Sequence, residues 1–146
     1  MVMKRWQFLV ATVIIMLSAC SKSGTGNNDG GDDGPHVVTP TDTTPPEISI
    51  YTPTTGQVFS SGNTITITGR LTDDLGLYRG TIKVINDATG AALHSQAYEI
   101  HGLRLYNFNL SYTPSVSAAS DYSVVVTFED HGLNSTAKSV SVKVNP

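Results

Sequence analysis

The sequence has one cysteine and one tryptophan in 146 residues, and each scarcity excludes something. A single cysteine rules out a disulfide within the chain, so hydrophobic packing must hold any folded domain together. The tryptophan, Trp6, lies near the N-terminus, in a segment that we expect to be removed as a signal peptide. Any platform for stacking sugars would therefore consist of tyrosine and phenylalanine. The nine lysine and arginine side chains form no basic stripe, and this argues against nucleic acid as a partner.

The chain also lacks a hydrophobic run long enough to be a comfortable transmembrane span. Its apolar stretch, residues 8–17, is about half the length that a bilayer requires. Lys4 and Arg5 precede this stretch, and a basic start followed by a short apolar run is typical of a secretory signal peptide. We therefore expect residues 1–19 to be a signal peptide that is removed from the mature protein.

The segment Leu17-Ser18-Ala19-Cys20 resembles the lipobox of bacterial lipoproteins. The resemblance implies cleavage after Ala19 and acylation of Cys20 on its sulfur and amine, which would anchor the protein to a membrane. The alternative is an ordinary signal peptide followed by a free thiol. It is disfavoured because a lone exposed cysteine is a liability in an oxidising compartment.

Residues 20–44 are nearly all small or polar, and we expect them to form a disordered tether. An acidic cluster at residues 29–33 resembles the export signal of surface lipoproteins in some gut-dwelling Gram-negative bacteria. This resemblance implies an outer-membrane lipoprotein exposed on the cell surface, with periplasm-facing anchoring as the alternative. Asp42-Thr43-Thr44 is similar to the short pattern on which the same bacteria place O-glycans, which implies glycosylation of Thr43.

From residue 45 to residue 146 the hydrophobic pattern has a period of two, and Gly, Pro, Asn and Asp break it into short segments. This pattern predicts an all-β domain, a seven-stranded antiparallel β-sandwich with its last strand at an exposed edge. The fourth strand has no clear apolar face, and no segment is periodic enough for a helix. The predicted strands are residues 47–51, 64–72, 78–84, 92–100, 104–112, 122–128 and 140–144.

Three motifs carry a resemblance to a known class of domain. They are Asp-Thr-Thr-Pro-Pro-Glu-Ile at residues 42–48, Thr-Asp-Asp-Leu-Gly-Leu at residues 72–77, and the segment from Asp121 to Ser135. The sequence resembles the bacterial immunoglobulin-like and fibronectin-III-like domains, in particular the single-domain Ig-like lipoproteins of gut bacteria. The resemblance implies an Ig-like β-sandwich and says almost nothing about a ligand, because such sandwiches host many unrelated functions.

Strands that run alternately up and down place the start of the domain and three loops, two of them acidic, at the same pole. Carboxylate and amide oxygens from separate loops are the ligands that Ca²⁺ requires, and this predicts a calcium site. The alternative is that these residues only stabilise turns through side-chain hydrogen bonds to the backbone. A zinc site formed by His101 and His131 is a third interpretation. The predicted calcium ligands are Asp42, Asp73, Asp74, Asp130 and Asn134.

An enzymatic function is disfavoured, since the chain has no nucleophile-elbow motif and no pair of acidic residues at a recognisable catalytic spacing. Two other functions remain. In the first, the protein is an accessory or structural lipoprotein whose Ig-like domain binds another envelope protein. In the second, it is a stand-alone surface module that binds a glycan or host protein, with calcium as an optional cofactor. The loops far from the tether contain only small side chains, so the sequence slightly favours the first function.

Overall fold

The computed structural model describes residues 37–146, and this part of the chain folds into eight β-strands. The strands alternate with short loops that carry Gly, Pro, Asn or Asp, as the period-two pattern predicts. Among the described residues there is no helix that is long and apolar enough to cross a membrane. The strands are β1 (Glu47–Thr52), β2 (Gln57–Ser60), β3 (Ile65–Thr72), β4 (Leu77–Asn86), β5 (Ala92–Glu99), β6 (Leu105–Tyr112), β7 (Ser120–Asp130) and β8 (Ser135–Asn145).

The strands form two sheets, in the orders β1-β3-β6 and β2-β8-β7-β4-β5. Every neighbouring pair is antiparallel except β2 and β8, which are parallel. The two sheets pack face to face over one core, so the domain is an Ig-like β-sandwich and the predicted fold class is confirmed.

The predicted number of seven strands is wrong by one, because the sequence pattern does not show β2. This strand has four residues, of which three are exposed, so it lacks the alternation that identifies a half-buried strand. It pairs with residues 142–145 of β8. The end of the last strand is therefore covered, and the edges of the larger sheet are β2 and β5.

The core consists of the inward-facing residues of both sheets, and the predicted alternation is confirmed. β3 buries Ile65, Ile67 and Leu71, while β7 buries every second residue from Tyr122 to Asp130. The fourth predicted strand, β5, has no clear apolar face because it is an edge strand whose side chains are mostly exposed. The aromatic residues of β6 face inward and contribute to the core rather than to a surface platform.

Two glycines allow the two core phenylalanines to pack closely against neighbouring strands. Gly69 pairs with Phe108 across β3 and β6, and Gly80 pairs with Phe128 across β4 and β7. A Cβ atom at Gly69 would lie 2.2 Å from the Phe108 ring, and one at Gly80 would lie 2.3 Å from the Phe128 ring. Because such distances are far below van der Waals contact, both positions require glycine.

Candidate functional site at the acidic pole

One end of the sandwich is built from the segment that leads into β1 and from the β3–β4, β5–β6 and β7–β8 loops. Backbone hydrogen bonds join these four pieces. The Asp73 N–H donates to the Arg104 carbonyl at 3.0 Å, and the His131 N–H donates to the Gly76 carbonyl at 3.1 Å. The Thr39 N–H donates to the His131 carbonyl at 2.8 Å. We call this end the acidic pole, and residues 39–44 the lead-in segment.

The lead-in segment belongs to the predicted tether, but it is folded onto the sandwich. Asp42 is 3% exposed, and its N–H donates to the Thr39 carbonyl at 3.0 Å. The structured region therefore starts before residue 45, the predicted start of the domain. Polar composition alone suggested disorder here, and the partners that order the segment lie about ninety residues further along the chain.

Asp130 and Asn134 form a hydrogen-bonded pair that holds the lead-in segment. Asp130 is fully buried, and its two carboxylate oxygens accept bonds of 2.9 Å from the backbone N–H and the side-chain amide of Asn134. The same amide donates to the Asp42 carbonyl at 3.0 Å. These two predicted metal ligands are thus engaged with each other and with the backbone.

Gly132 lets the lead-in segment approach the β7–β8 loop closely. A Cβ atom at this position would lie 2.3 Å from the Asp42 carbonyl oxygen and 2.8 Å from the Asn134 amide nitrogen. The sequence pattern predicts a turn here but does not reveal the requirement for glycine, because the clash with Asp42 involves a residue distant in sequence.

Asp73 stabilises the β3–β4 turn in the manner expected of a turn former. Its Oδ1 atom accepts hydrogen bonds from the Leu75 N–H at 3.1 Å and from the Gly76 N–H. Its Oδ2 atom is buried and has no hydrogen-bond partner. Asp73 therefore stabilises the turn and still has one carboxylate oxygen without a hydrogen bond.

Asp42, Asp73 and Asp74 bring their carboxylates together at the acidic pole. One oxygen from each lies within 4.8 Å of the others. Burial raises the pKa of the Asp42 carboxyl above its ordinary value of 3.8, and the charges of Asp130, Asp73 and Asp74 raise it further. A weak hydrogen bond from the Thr44 N–H, at 3.4 Å, acts in the opposite direction. Of the four predicted aspartate ligands, these three are the ones whose ligand atoms converge.

The two histidines proposed as zinc ligands pack against a tyrosine. The His101 ring lies edge-on to Tyr78 with a centroid distance of 4.7 Å, and the His101 and His131 centroids are 5.5 Å apart. The His101 Nε2 atom lies 3.4 Å from a carboxylate oxygen of Glu99. This arrangement is an aromatic cluster beside the acidic residues.

The acidic pole also carries most of the exposed large hydrophobic side chains. Of the nine such residues in the described part of the chain, six lie at this end, and the four leucines among them are 44–50% exposed. This exposure was not predictable from the sequence, because a leucine in a short loop is equally consistent with the start of a buried strand. The six are Val37, Val38, Leu75, Leu103, Leu105 and Leu133.

Two further predicted sites have different outcomes. Thr43 is exposed, which a glycosylation acceptor requires, and its modification stays a prediction. Cys20, the signal peptide and most of the tether lie outside the described residues, so the structure does not test the lipid anchor.

Comparisons with known proteins add one likeness of fold. No family model and no curated protein matches the chain. Among solved structures, the fibronectin(III)-like modules of Clostridium thermocellum CbhA match with a TM-score of 0.42 and 15% sequence identity. The match covers 67% of this chain and 94% of that one.

Proposed function

We propose that the chain is a lipid-anchored lipoprotein of the outer membrane whose Ig-like domain acts as an accessory protein-interaction module. The partner is another envelope protein, and the contact surface is the acidic pole. The observation that carries this proposal is the concentration of exposed leucines and valines at that pole. Clustered exposed apolar residues with a polar surround are typical of protein interaction sites. We assign the chain no catalytic role.

The loops that present the leucines are held in place before binding. The β3–β4 loop is hydrogen-bonded to both the β5–β6 and the β7–β8 loops, and the Asp130–Asn134 pair fixes the lead-in segment beside them. A surface that is already ordered loses little conformational entropy on binding. This favours the acidic pole over the loops at the opposite end, which contain only small side chains.

The size of the apolar surface indicates why a membrane anchor matters. Burying the exposed half of four leucine side chains is worth on the order of 3–6 kcal/mol before the cost of association is subtracted. Since a Kd of about 1 mM already corresponds to about 4 kcal/mol, these leucines alone support only a weak complex. Acylation of Cys20 would keep the module and a partner on one membrane, and the higher effective concentration would compensate.

The direction of the tether supports the same arrangement. The lead-in segment reaches the sandwich at the acidic pole, so a chain arriving from Cys20 would bring this end toward the bilayer. A partner embedded in that membrane would then meet the leucines first. A glycan attached to the exposed Thr43 would lie at the edge of this surface and limit which partners fit.

Co-purification of the full-length protein from detergent-solubilised outer membrane tests the proposal. We expect one protein to be recovered in constant stoichiometry with the native chain and to be lost with the double variant Leu103→Ser, Leu133→Ser. The matched control, Val58→Ser with Leu93→Ser, changes two exposed residues away from the acidic pole and should retain the partner.

Two controls make the outcome decisive. Cys20→Ala should abolish partitioning into the membrane fraction, and its retention there would contradict the lipid anchor. Equal recovery of the partner with the pole variant and the control would contradict the acidic pole as the contact surface. Saturable glycan binding by the full-length protein, with no protein partner, would favour the stand-alone module instead.

A further inference from the structure

We propose that Asp42, Asp73 and Asp74 form a Ca²⁺ site that fastens the lead-in segment to the β3–β4 loop. Asp42 belongs to the lead-in segment, while the other two residues follow β3 directly. No hydrogen bond joins the side chain of Asp42 to those of Asp73 and Asp74. A cation bound by all three would therefore connect two separate parts of the chain. The site depends neither on the lipid anchor nor on a partner.

The spacing of the three carboxylates fits one Ca²⁺ ion. Ca²⁺ lies about 2.3–2.6 Å from its oxygen ligands, so two ligands on opposite sides of the ion are about 4.6–5.2 Å apart. The three ligand oxygens of the site all lie within 4.8 Å of one another. The same limit also admits the shorter Mg²⁺ bonds of about 2.0–2.1 Å, but Mg²⁺ demands a nearly ideal octahedron of ligands. The more adaptable shell of Ca²⁺ suits carboxylates delivered by two separate segments.

Two carboxylate oxygens at the site are buried without a hydrogen-bond partner. One is Oδ2 of Asp42, whose residue is 3% exposed, and the other is Oδ2 of Asp73. Buried carboxylate oxygens are normally satisfied by donors or by a cation, since removing them from water is costly. No lysine or arginine in the part of the chain that the structure describes forms an ion pair with these three residues. A divalent cation supplies the missing partner for both oxygens.

The surroundings leave room for the remaining ligands. An open cleft of about 190 Å³ adjoins the site and is lined by the two aspartates of the β3–β4 loop and by Glu47. Asp42 and Asp73 each offer one oxygen without a hydrogen bond, and Asp74 offers one or two. Because Ca²⁺ takes about six to eight oxygens, water in the cleft completes the shell. Asp74 is exposed and faces solvent, which gives the ion a path to the buried oxygens.

Calorimetric titration of the full-length protein in detergent with CaCl₂, after removal of metal by EDTA and dialysis, tests the site. We expect one Ca²⁺ per chain with a Kd of about 10⁻⁴–10⁻³ M, the range of extracellular modules. Asp74→Asn removes one ligand charge from an exposed residue, so the fold is kept and affinity should fall by about tenfold or more. The matched control, Asp87→Asn, lies in the exposed β4–β5 turn and should bind as the native protein does.

Amide hydrogen exchange tests the fastening role separately. With Ca²⁺, exchange in residues 39–44 should slow severalfold in the native protein and in Asp87→Asn, but not in Asp74→Asn. No binding at 10 mM CaCl₂, or equal affinity of Asp74→Asn and the native protein, overturns the site. Binding without slower exchange overturns the fastening role, and equally tight binding of Mg²⁺ overturns the assignment to Ca²⁺.

Discussion

Replacing Asn134 by alanine should destabilise the domain more than its partly exposed position suggests. The substitution removes two side-chain hydrogen bonds, one to the Asp42 carbonyl at 3.0 Å and one to the Asp130 carboxylate at 2.9 Å. The backbone bond from residue 134 to Asp130 can persist, because alanine keeps the N–H group. The variant therefore isolates the side-chain amide.

The magnitude follows from the two partners. A hydrogen bond to a neutral carbonyl contributes about 0.5–1.5 kcal/mol, and one to a charged group contributes about 1.5–3 kcal/mol. The loss should total about 2–4.5 kcal/mol, with the upper part of the range favoured because Asp130 is fully buried and its Oδ2 atom would lose its donor. For a domain of this size, that corresponds to a decrease in Tm of roughly 10–20 °C.

Thermal unfolding followed by circular dichroism measures this decrease. Asn109→Ala is the matched control, because Asn109 is an exposed asparagine on β6, and its substitution should change stability by less than about 0.5 kcal/mol. If Asn134→Ala costs less than about 1 kcal/mol, the Asp130–Asn134 pair does not hold the lead-in segment and our reasoning about the acidic pole fails.

Three further predictions concern packing, backbone strain and pH. Gly80→Ala should lower the free energy of unfolding in urea by at least about 2 kcal/mol, because its Cβ atom would overlap the Phe128 ring and the Thr127 carbonyl; a change below about 1 kcal/mol would contradict this packing. Leu133 has a φ of 66°, so Leu133→Gly should leave the free energy of unfolding unchanged or raise it by up to about 1 kcal/mol, and a clear loss of stability would contradict the left-handed conformation. In EDTA, the raised pKa of Asp42 means that its contribution to stability is present below pH 3.8 and is lost as pH rises through the higher folded-state pKa. Comparison of Tm against pH for the native protein and Asp42→Asn should show this loss only in the native protein, and parallel curves would refute it.

The sequence predicts the sandwich well where one face of a strand is buried. Ile65, Ile67 and Leu71 alternate with polar residues on β3, and the buried side is the one that the pattern indicates. β2 has no such alternation, since it is short, mostly exposed and held by parallel pairing with β8. A local pattern cannot reveal a strand whose identity depends on its neighbour.

The location of the acidic residues at one pole was predictable from the sequence, but the hydrogen bonds that each residue makes there were not. Alternating strand direction is enough to place Asp42, Asp73 and Asp130 at one end. It does not indicate that Asn134 pairs with Asp130 while Asp73 keeps one oxygen unused, because this depends on the path of the lead-in segment. The need for glycine at positions 69, 80 and 132 likewise arises from contacts between distant residues.

Photo-crosslinking in intact cells tests the central claim, that the acidic pole contacts an envelope protein. A photoreactive amino acid is placed at position 103, at the acidic pole, and in a second strain at position 58, on β2; the native residues there are 47% and 58% exposed. We predict a discrete adduct with one protein from position 103 and none from position 58. An adduct from position 58 alone, or equal adducts from both positions, would contradict the account.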